Sequence, residues 1–151
     1  MEIAIYVDGL AEPSNPGTGT WAWIIFDESG DELAQAYGVL PSKVSNNYSE
    51  YCGAGFALKY LREHHADDGI AFYSDSQLVL NQIQGTWQCN AETLIPLRDR
   101  CRELLADLSI SFHWIPSEQN KADELTRLAY QEKTGVYPVK RLKASRGARV
   151  E

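Results

Sequence analysis

Glu2-Ile3-Ala4-Ile5-Tyr6-Val7-Asp8-Gly9 is the stretch on which the fold turns. Its short apolar run reads as a buried β-strand, and Asp8-Gly9 closes it with turn chemistry. A loop follows, marked by Pro13, Asn15, Pro16, Gly17 and Gly19. Thr20-Trp21-Ala22-Trp23-Ile24-Ile25-Phe26 reads as a second strand. The turn residues Asp27-Glu28-Ser29-Gly30-Asp31 then predict a hairpin partner over 32–39.

Helical spacing begins after Ser45-Asn46-Asn47. Tyr51, Ala54, Leu58 and Leu61 share one face of a helix running to about residue 63. Gly53 and Gly55 weaken that helix, which predicts close packing against another element. Ile70-Ala71-Phe72-Tyr73 is a further strand, and Ser74-Asp75-Ser76 resembles an N-cap for a short helix over 77–84. A third helix is expected over 91–107, with Leu94, Leu97, Cys101, Leu104 and Leu105 as its apolar face. Alternating Ile110, Phe112 and Trp114 predict a strand at 109–115, and Asn120 opens a last helix through about residue 132. A meander followed by βα crossovers specifies an α/β domain, one mixed sheet with helices on its faces.

The 151 residues suit one domain, and 44% hydrophobic with 23% charged residues is ordinary globular composition. No apolar run approaches the roughly 18 to 20 residues that span a bilayer. The start, Met1-Glu2-Ile3-Ala4, lacks the basic and apolar stretches of a secretory leader, so a cytoplasmic protein is expected. Cys52, Cys89 and Cys101 form no CxxC pair and are read as thiols of a reducing compartment. The net charge of −7 argues by itself against a nucleic-acid partner. Its distribution is uneven. Lys140, Arg141, Lys143, Arg146 and Arg149 face one acid within 136–151, leaving nine basic and twenty acidic side chains in residues 1–135.

Asp8 and Asp75 follow strands, Glu50 lies early on the first long helix, and Asp123 begins the last. Sites in open α/β sheets form beyond the carboxyl ends of central strands, so these acids could converge there. Four such carboxylates would suit Mg²⁺ or Mn²⁺, and two ions about 4 Å apart can clamp a phosphodiester displacement. Taken singly, each acid reads equally as a cap or a solvated charge. No Ser-His-Asp or Cys-His arrangement competes, and His64, His65 and His113 read as structural or solvated.

Four motifs sharpen this. Tyr6-Val7-Asp8-Gly9 with Asn15-Pro16-Gly17-Thr18-Gly19 resembles the opening of type 1 ribonucleases H. Ser45-Asn46-Asn47-Tyr48-Ser49-Glu50 is similar to the approach to that family's helical glutamate. Tyr73-Ser74-Asp75-Ser76-Gln77-Leu78-Val79, with Trp87 after it, resembles the third-acid motif. Trp114-Ile115-Pro116 and Asn120-Lys121-Ala122-Asp123-Glu124-Leu125 resemble the segment carrying the fourth acid. All four occur in family order over residues 3–130.

The resemblance implies a five-stranded mixed sheet in order 3-2-1-4-5, with a catalytic domain over 1–132 and a basic tail over 133–151. It implies two Mg²⁺ ions, replaceable by Mn²⁺, held by Asp8, Glu50, Asp75 and Asp123. It also implies cleavage of the RNA strand of an RNA–DNA hybrid, leaving 5′-phosphate and 3′-hydroxyl ends. Asn15, Asn46, Asn47 and Gln77 are the implied hybrid contacts, their amides suiting 2′-hydroxyls and minor-groove edges. A monomer without an obligate protein partner or membrane association is expected. Three features depart from the pattern. Ile115-Pro116-Ser117-Glu118-Gln119-Asn120 lacks the loop histidine of many relatives. The Asn120-to-Asp123 spacing is one residue short, which leaves Glu124 and Asn120 as alternatives for the fourth ligand. The basic protrusion of some members is missing between the middle helices. Trp87 reads either as a platform for the DNA strand or as core edge, and the tail either as a phosphate-binding or as a solubilising end, mobile past about residue 143. A non-catalytic hybrid- or double-stranded-RNA-binding module of the same fold is the alternative reading, and an exonuclease acting on DNA ends is a third.

Overall fold

The strand β1 (Glu2–Glu12) lies at the centre of the sheet. The computed structural model describes residues 1–138. On one side β1 runs antiparallel to β2 (Gly17–Phe26), from Ala4 opposite Phe26 to Glu12 opposite Thr18. On the other it runs parallel to β4 (Gly69–Ser74), the last pair being Tyr6 with Tyr73. β3 (Glu32–Val44) extends the antiparallel side and β5 (Ser109–Trp114) the parallel side. The sheet order is therefore β3-β2-β1-β4-β5, as the resemblance implied.

Three helices cover one face: α1 (Asn46–His64), α2 (Gln77–Gln84) and α3 (Ile95–Leu105). Ile3, Ile5, Val7, Ile70 and Phe72 from the sheet meet Tyr51, Leu58, Leu61, Leu78, Ile83 and Leu104 there. Each such side chain contributes about 1.5–3 kcal/mol on burial. α4 (Asp123–Thr134) packs on the opposite face, where Ala122 and Leu125 close over Ala22 and Ile24. Ser45 caps α1 by accepting the Tyr48 N–H, and Ser76 caps α2 by accepting that of Val79. Among the described residues, no helix is long and apolar enough to cross a membrane.

Several boundaries differ from the sequence expectation. β1 continues past Asp8-Gly9 because pairing with β2 persists to Glu12, with Leu10 and Ala11 buried. β3 likewise runs beyond residue 39 to Val44, opposite Gly17. α3 begins at Ile95 rather than near 91, with Pro96 in its first turn, where a missing N–H costs nothing. α4 begins at Asp123 rather than Asn120, because Asn120 is still extended after the 3₁₀ turn Ser117–Gln119, and Lys121-Ala122 turn the chain into the helix. It ends at Thr134, past the expected boundary at 132, with Gly135 at φ 80 reversing the chain.

Gly53 meets its expectation. A β-carbon there would lie 2.5 Å from the Asp8 carbonyl oxygen. A β-carbon at Gly9 would collide with the backbone of Ser49 and Glu50. These two glycines let α1 lie directly on β1, which sets Glu50 beside Asp8. Gly55 differs, since its β-carbon would make only ordinary contact, 3.8 Å from Cys101 Sγ.

Candidate active site

Asp8 sits two residues past the last parallel pair of β1, and Asp75 one residue past the end of β4. Asp8 lies where the parallel pairing of β1 with β4 has stopped, although β1 itself runs on beside β2 to Glu12. Asp75 follows the end of β4, and the carboxyl side of such parallel pairs is where these folds build sites. Glu50 reaches them from the second turn of α1. One carboxylate oxygen from each of Asp8, Glu50 and Asp75 lies within 4.8 Å of the others. All three are buried, at 2%, 3% and 2% exposure. Three carboxylates this close repel one another strongly in a low-dielectric setting unless a cation lies among them. The donors are all hard oxygens, which fits Mg²⁺ or Mn²⁺ and does not suit a softer, thiolate-seeking metal.

Neighbouring bonds hold these acids in place. The Gly9 N–H donates to Asp8 Oδ1 at 2.9 Å. The Trp114 indole N–H donates to the Asp75 carbonyl at 3.1 Å, and the Ile115 N–H to that of Ser74 at 3.0 Å. The end of β5 is thereby tied to the turn carrying Asp75. The alternation predicts Trp114 as a strand residue and the resemblance sets it in the fourth-acid motif, but neither signals this bond.

Asp123 is buried at the start of α4 but is not one of the three clustered acids. Its Oδ2 accepts the Arg127 Nε–H at 3.0 Å. The two other residues open for the fourth role are engaged elsewhere. Asn120 Nδ2 donates to the Val7 carbonyl at 2.8 Å, while its Oδ1 accepts the Ala122 N–H at 3.0 Å. Glu124 is exposed, and its Oε1 accepts the Tyr137 O–H at 2.6 Å. Burial first, and that bond second, push the Tyr137 phenol up to about 12. Asn120 thus acts as a tether, fixing the α4 N-terminus to the residue before Asp8.

The amides read as hybrid contacts gather around the first turns of α1 and α2. Asn15 is exposed, and its Oδ1 accepts the Asn46 N–H at 3.0 Å. Asn46 Oδ1 in turn accepts the Ala11 N–H at 2.8 Å. Their carbonyl ends thus brace the β1–β2 hairpin against α1, and their NH₂ ends are donors. Asn47 and Gln77 are half-buried, Gln77 opening α2 next to Asp75. Trp87 is partly buried against the main core. The histidines have local partners: His65 with Asp68 at 2.8 Å, His113 with Ser111 at 2.8 Å, and His64 stacked on Tyr60. The His65 bond holds the Asp68 carboxyl below its ordinary value.

The reverse transcriptase-like family matches residues 6–129. A protein named ribonuclease HI from Halobacterium salinarum is 34% identical over 133 residues, covering 86% of this chain. The chain spans 65% of that relative's length. A ribonuclease H from Chlorobium luteolum is 30% identical over 149 residues, covering 87% of this chain and 97% of that protein. The solved structure of RNase H1 from Halobacterium salinarum superposes with TM-score 0.79 at 30% identity, covering 87% of this chain and 99% of that one. LC11-RNase H1, solved in complex with an RNA/DNA hybrid, gives 0.79 at 28% identity over 87% of this chain and 98% of that one. The motif order, the sheet order, the carboxylate cluster and these likenesses agree: the chain belongs to the type 1 ribonuclease H family of hydrolases.

Proposed function

We propose that this protein cleaves the RNA strand of RNA–DNA hybrids, using two divalent ions and leaving 5′-phosphate and 3′-hydroxyl ends. The observation that carries the reading is the buried meeting of Asp8, Glu50 and Asp75 beyond the parallel pairing of the central strands β1 and β4. A relative of the same fold was solved in complex with an RNA/DNA hybrid, which supports the choice of substrate. Mg²⁺ is the proposed ion, with Mn²⁺ able to replace it. Asp8, Glu50 and Asp75 hold the ions, and Asp123 completes the set from α4. When bound, the ions supply charge stabilisation to the attacking and departing oxygens of the phosphodiester.

The chain's own residues do the rest. Asp8 within β1 and Asp75 just past β4 come from adjacent strands, so a scissile phosphate meets a preset array of oxygens. Asn15, Asn46, Asn47 and Gln77 contact the hybrid, and amide NH₂ groups suit 2′-oxygens and minor-groove acceptors. Amides make such contacts without adding charge. Residues 1–132 are proposed as the catalytic domain and 133–151 as a tail that adds affinity for the hybrid backbone. Residues 139–151, with Lys140, Arg141, Lys143, Arg146 and Arg149, lie outside the described residues. The protein is further proposed to act as a cytoplasmic monomer, the free thiols of Cys52 and Cys101 fitting a reducing compartment.

The test is cleavage of a labelled hybrid and of single-stranded RNA with Mg²⁺ or Mn²⁺, using the wild type, Asp8→Asn and Asp123→Asn. The wild type should cut only the hybrid and only with metal. Asp8→Asn should remain folded and lose more than the roughly 10–100-fold typical of an outer-shell partner. Asp123→Asn should also lose activity. Cutting retained by Asp8→Asn at saturating Mg²⁺ would overturn the ion assignment. Hybrid binding without cutting by the wild type would support the non-catalytic module instead.

A further inference from the structure

We infer that Arg127 is a positioning residue for the fourth acid, and that the chain segment just past α4 completes its setting. The inference rests on the role proposed above for Asp123. Arg127 is 3% exposed, and Asp123 lies one helical turn before it. Its guanidinium donates at two places, Nε–H to Asp123 Oδ2 at 3.0 Å and Nη1–H to the Pro138 carbonyl at 3.1 Å.

Pro138 gets there because the chain doubles back. Gly135 takes φ 80, and the Val136 N–H donates to Thr134 Oγ1 at 3.2 Å. The Tyr137 O–H then donates to Glu124 Oε1 at 2.6 Å. Residues 135–138 therefore run back along α4 to its first turn. The strap fastens at both of the acids that open the helix, directly to Glu124 and through Arg127 to Asp123.

The chemistry follows from the shape of the side chain. A guanidinium is planar, and its N–H groups point in fixed directions, so a partner on each side sets the orientation of the plane. With the Pro138 carbonyl on one side, the plane is fixed, and so is the way the Asp123 carboxylate faces. Asn120 performs the matching task for the backbone, holding the start of α4 to Val7. Helix start and side chain are thus located by separate devices. A lysine at 127 would keep the charge but could not bond both partners in a fixed geometry.

The test compares the full chain, Arg127→Lys, a chain ending at Val139 and a chain ending at Gly135. Ending at Val139 keeps the Pro138 amide carbonyl and removes Lys140, Arg141, Lys143, Arg146 and Arg149. Thermal unfolding, Mn²⁺ binding by calorimetry, and kcat and KM on hybrid are measured for each. Arg127→Lys should fold, with KM little changed and kcat or Mn²⁺ affinity lowered about tenfold, as when an outer-shell partner is lost. The chain ending at Gly135 should show the same loss, and adding Arg127→Lys to it should change little more, since the two act through one contact. The chain ending at Val139 should keep kcat and Mn²⁺ affinity. Lowered melting temperatures alone, with kcat and Mn²⁺ binding intact in Arg127→Lys, would overturn the inference. So would a chain ending at Val139 that loses as much as one ending at Gly135. Should the shortest chain fail to fold, Arg127→Lys in the full chain decides. A wild type that binds Mn²⁺ but does not cut hybrid refutes the proposed activity, and the calorimetry still tests Arg127.

Discussion

Adding one methyl group to α1 should stabilise the protein at Gly55 and destabilise it at Gly53. In a helix interior, glycine costs about 0.5–1 kcal/mol relative to alanine, and Gly55→Ala should recover that, because its new carbon would sit 3.8 Å from Cys101 Sγ. At Gly53 the same carbon would sit 2.5 Å from the Asp8 carbonyl oxygen. Forcing atoms into a packed contact costs about 1–3 kcal/mol, which outweighs the gain in helix propensity. Melting temperatures of the two variants check the signs, and the Gly53 variant should also bind Mn²⁺ more weakly as Glu50 moves away from Asp8. The apolar runs that precede Asp8 and Asp75, and the early helix turn at Glu50, restrict where a carboxylate can point, although β1 runs on past Asp8 to Glu12. The acids of the cluster were therefore legible in the sequence. The partners of those acids were not. The spacing of Asp123 and Arg127 allows an i,i+4 pair, but nothing in it says that the pair is buried or that a carbonyl beyond the helix joins it. Asn15 and Asn46 stand among the substrate contacts that the resemblance implies. That their carbonyl ends are spent on the backbone of neighbouring segments is a tertiary fact.

At the scale of elements, legibility followed the caps. α2 was expected over 77–84 and spans Gln77–Gln84, because Ser76 and the left-handed Gly85 mark both of its ends locally. α4 carries no such mark. Its N-terminal residue Ala122 makes no side-chain cap bond, and Asn120 two residues earlier takes over part of that work from a 3₁₀ turn. The expected start at Asn120 was therefore early, and the short spacing to Asp123 is taken up by extended Asn120 and the turn at Lys121-Ala122. Asn120→Ala isolates the element's role. It leaves the Val7 carbonyl buried without its side-chain donor and removes the acceptor for the Ala122 N–H. An unmet buried group costs about 1–3 kcal/mol, so a lower melting temperature is expected. Because the tether fixes where α4 begins, cleavage of hybrid should fall too. Full activity in a destabilised Asn120→Ala would show that the position of α4 does not matter to the site.

Across the whole molecule, an acidic body must approach a polyanion. Residues 1–135 hold twenty acidic and nine basic side chains, while Lys140, Arg141, Lys143, Arg146 and Arg149 follow Pro138. The asymmetry is legible in the sequence, but the point from which the tail departs is not. The strap supplies it, because Arg127 holds Pro138 beside the first turn of α4, so the chain leaves the described body next to Asp123. We propose that the basic side chains of the tail meet phosphates of the hybrid and offset the repulsion that the body imposes. Each phosphate contact they make releases counterions and adds about 0.7–0.9 to the slope of log affinity against log salt. Removing residues 140–151 should therefore raise KM for hybrid, flatten the salt dependence of kcat/KM, and leave kcat near the wild-type value because the strap is retained. The loss in kcat/KM should be largest at low salt, where the tail's attraction is least screened, and should shrink as salt is added. Titrating kcat/KM from 50 to 200 mM salt in both proteins measures this. Parallel salt slopes would assign the tail to solubility and leave the amides of α1 and α2 as the hybrid's principal hold.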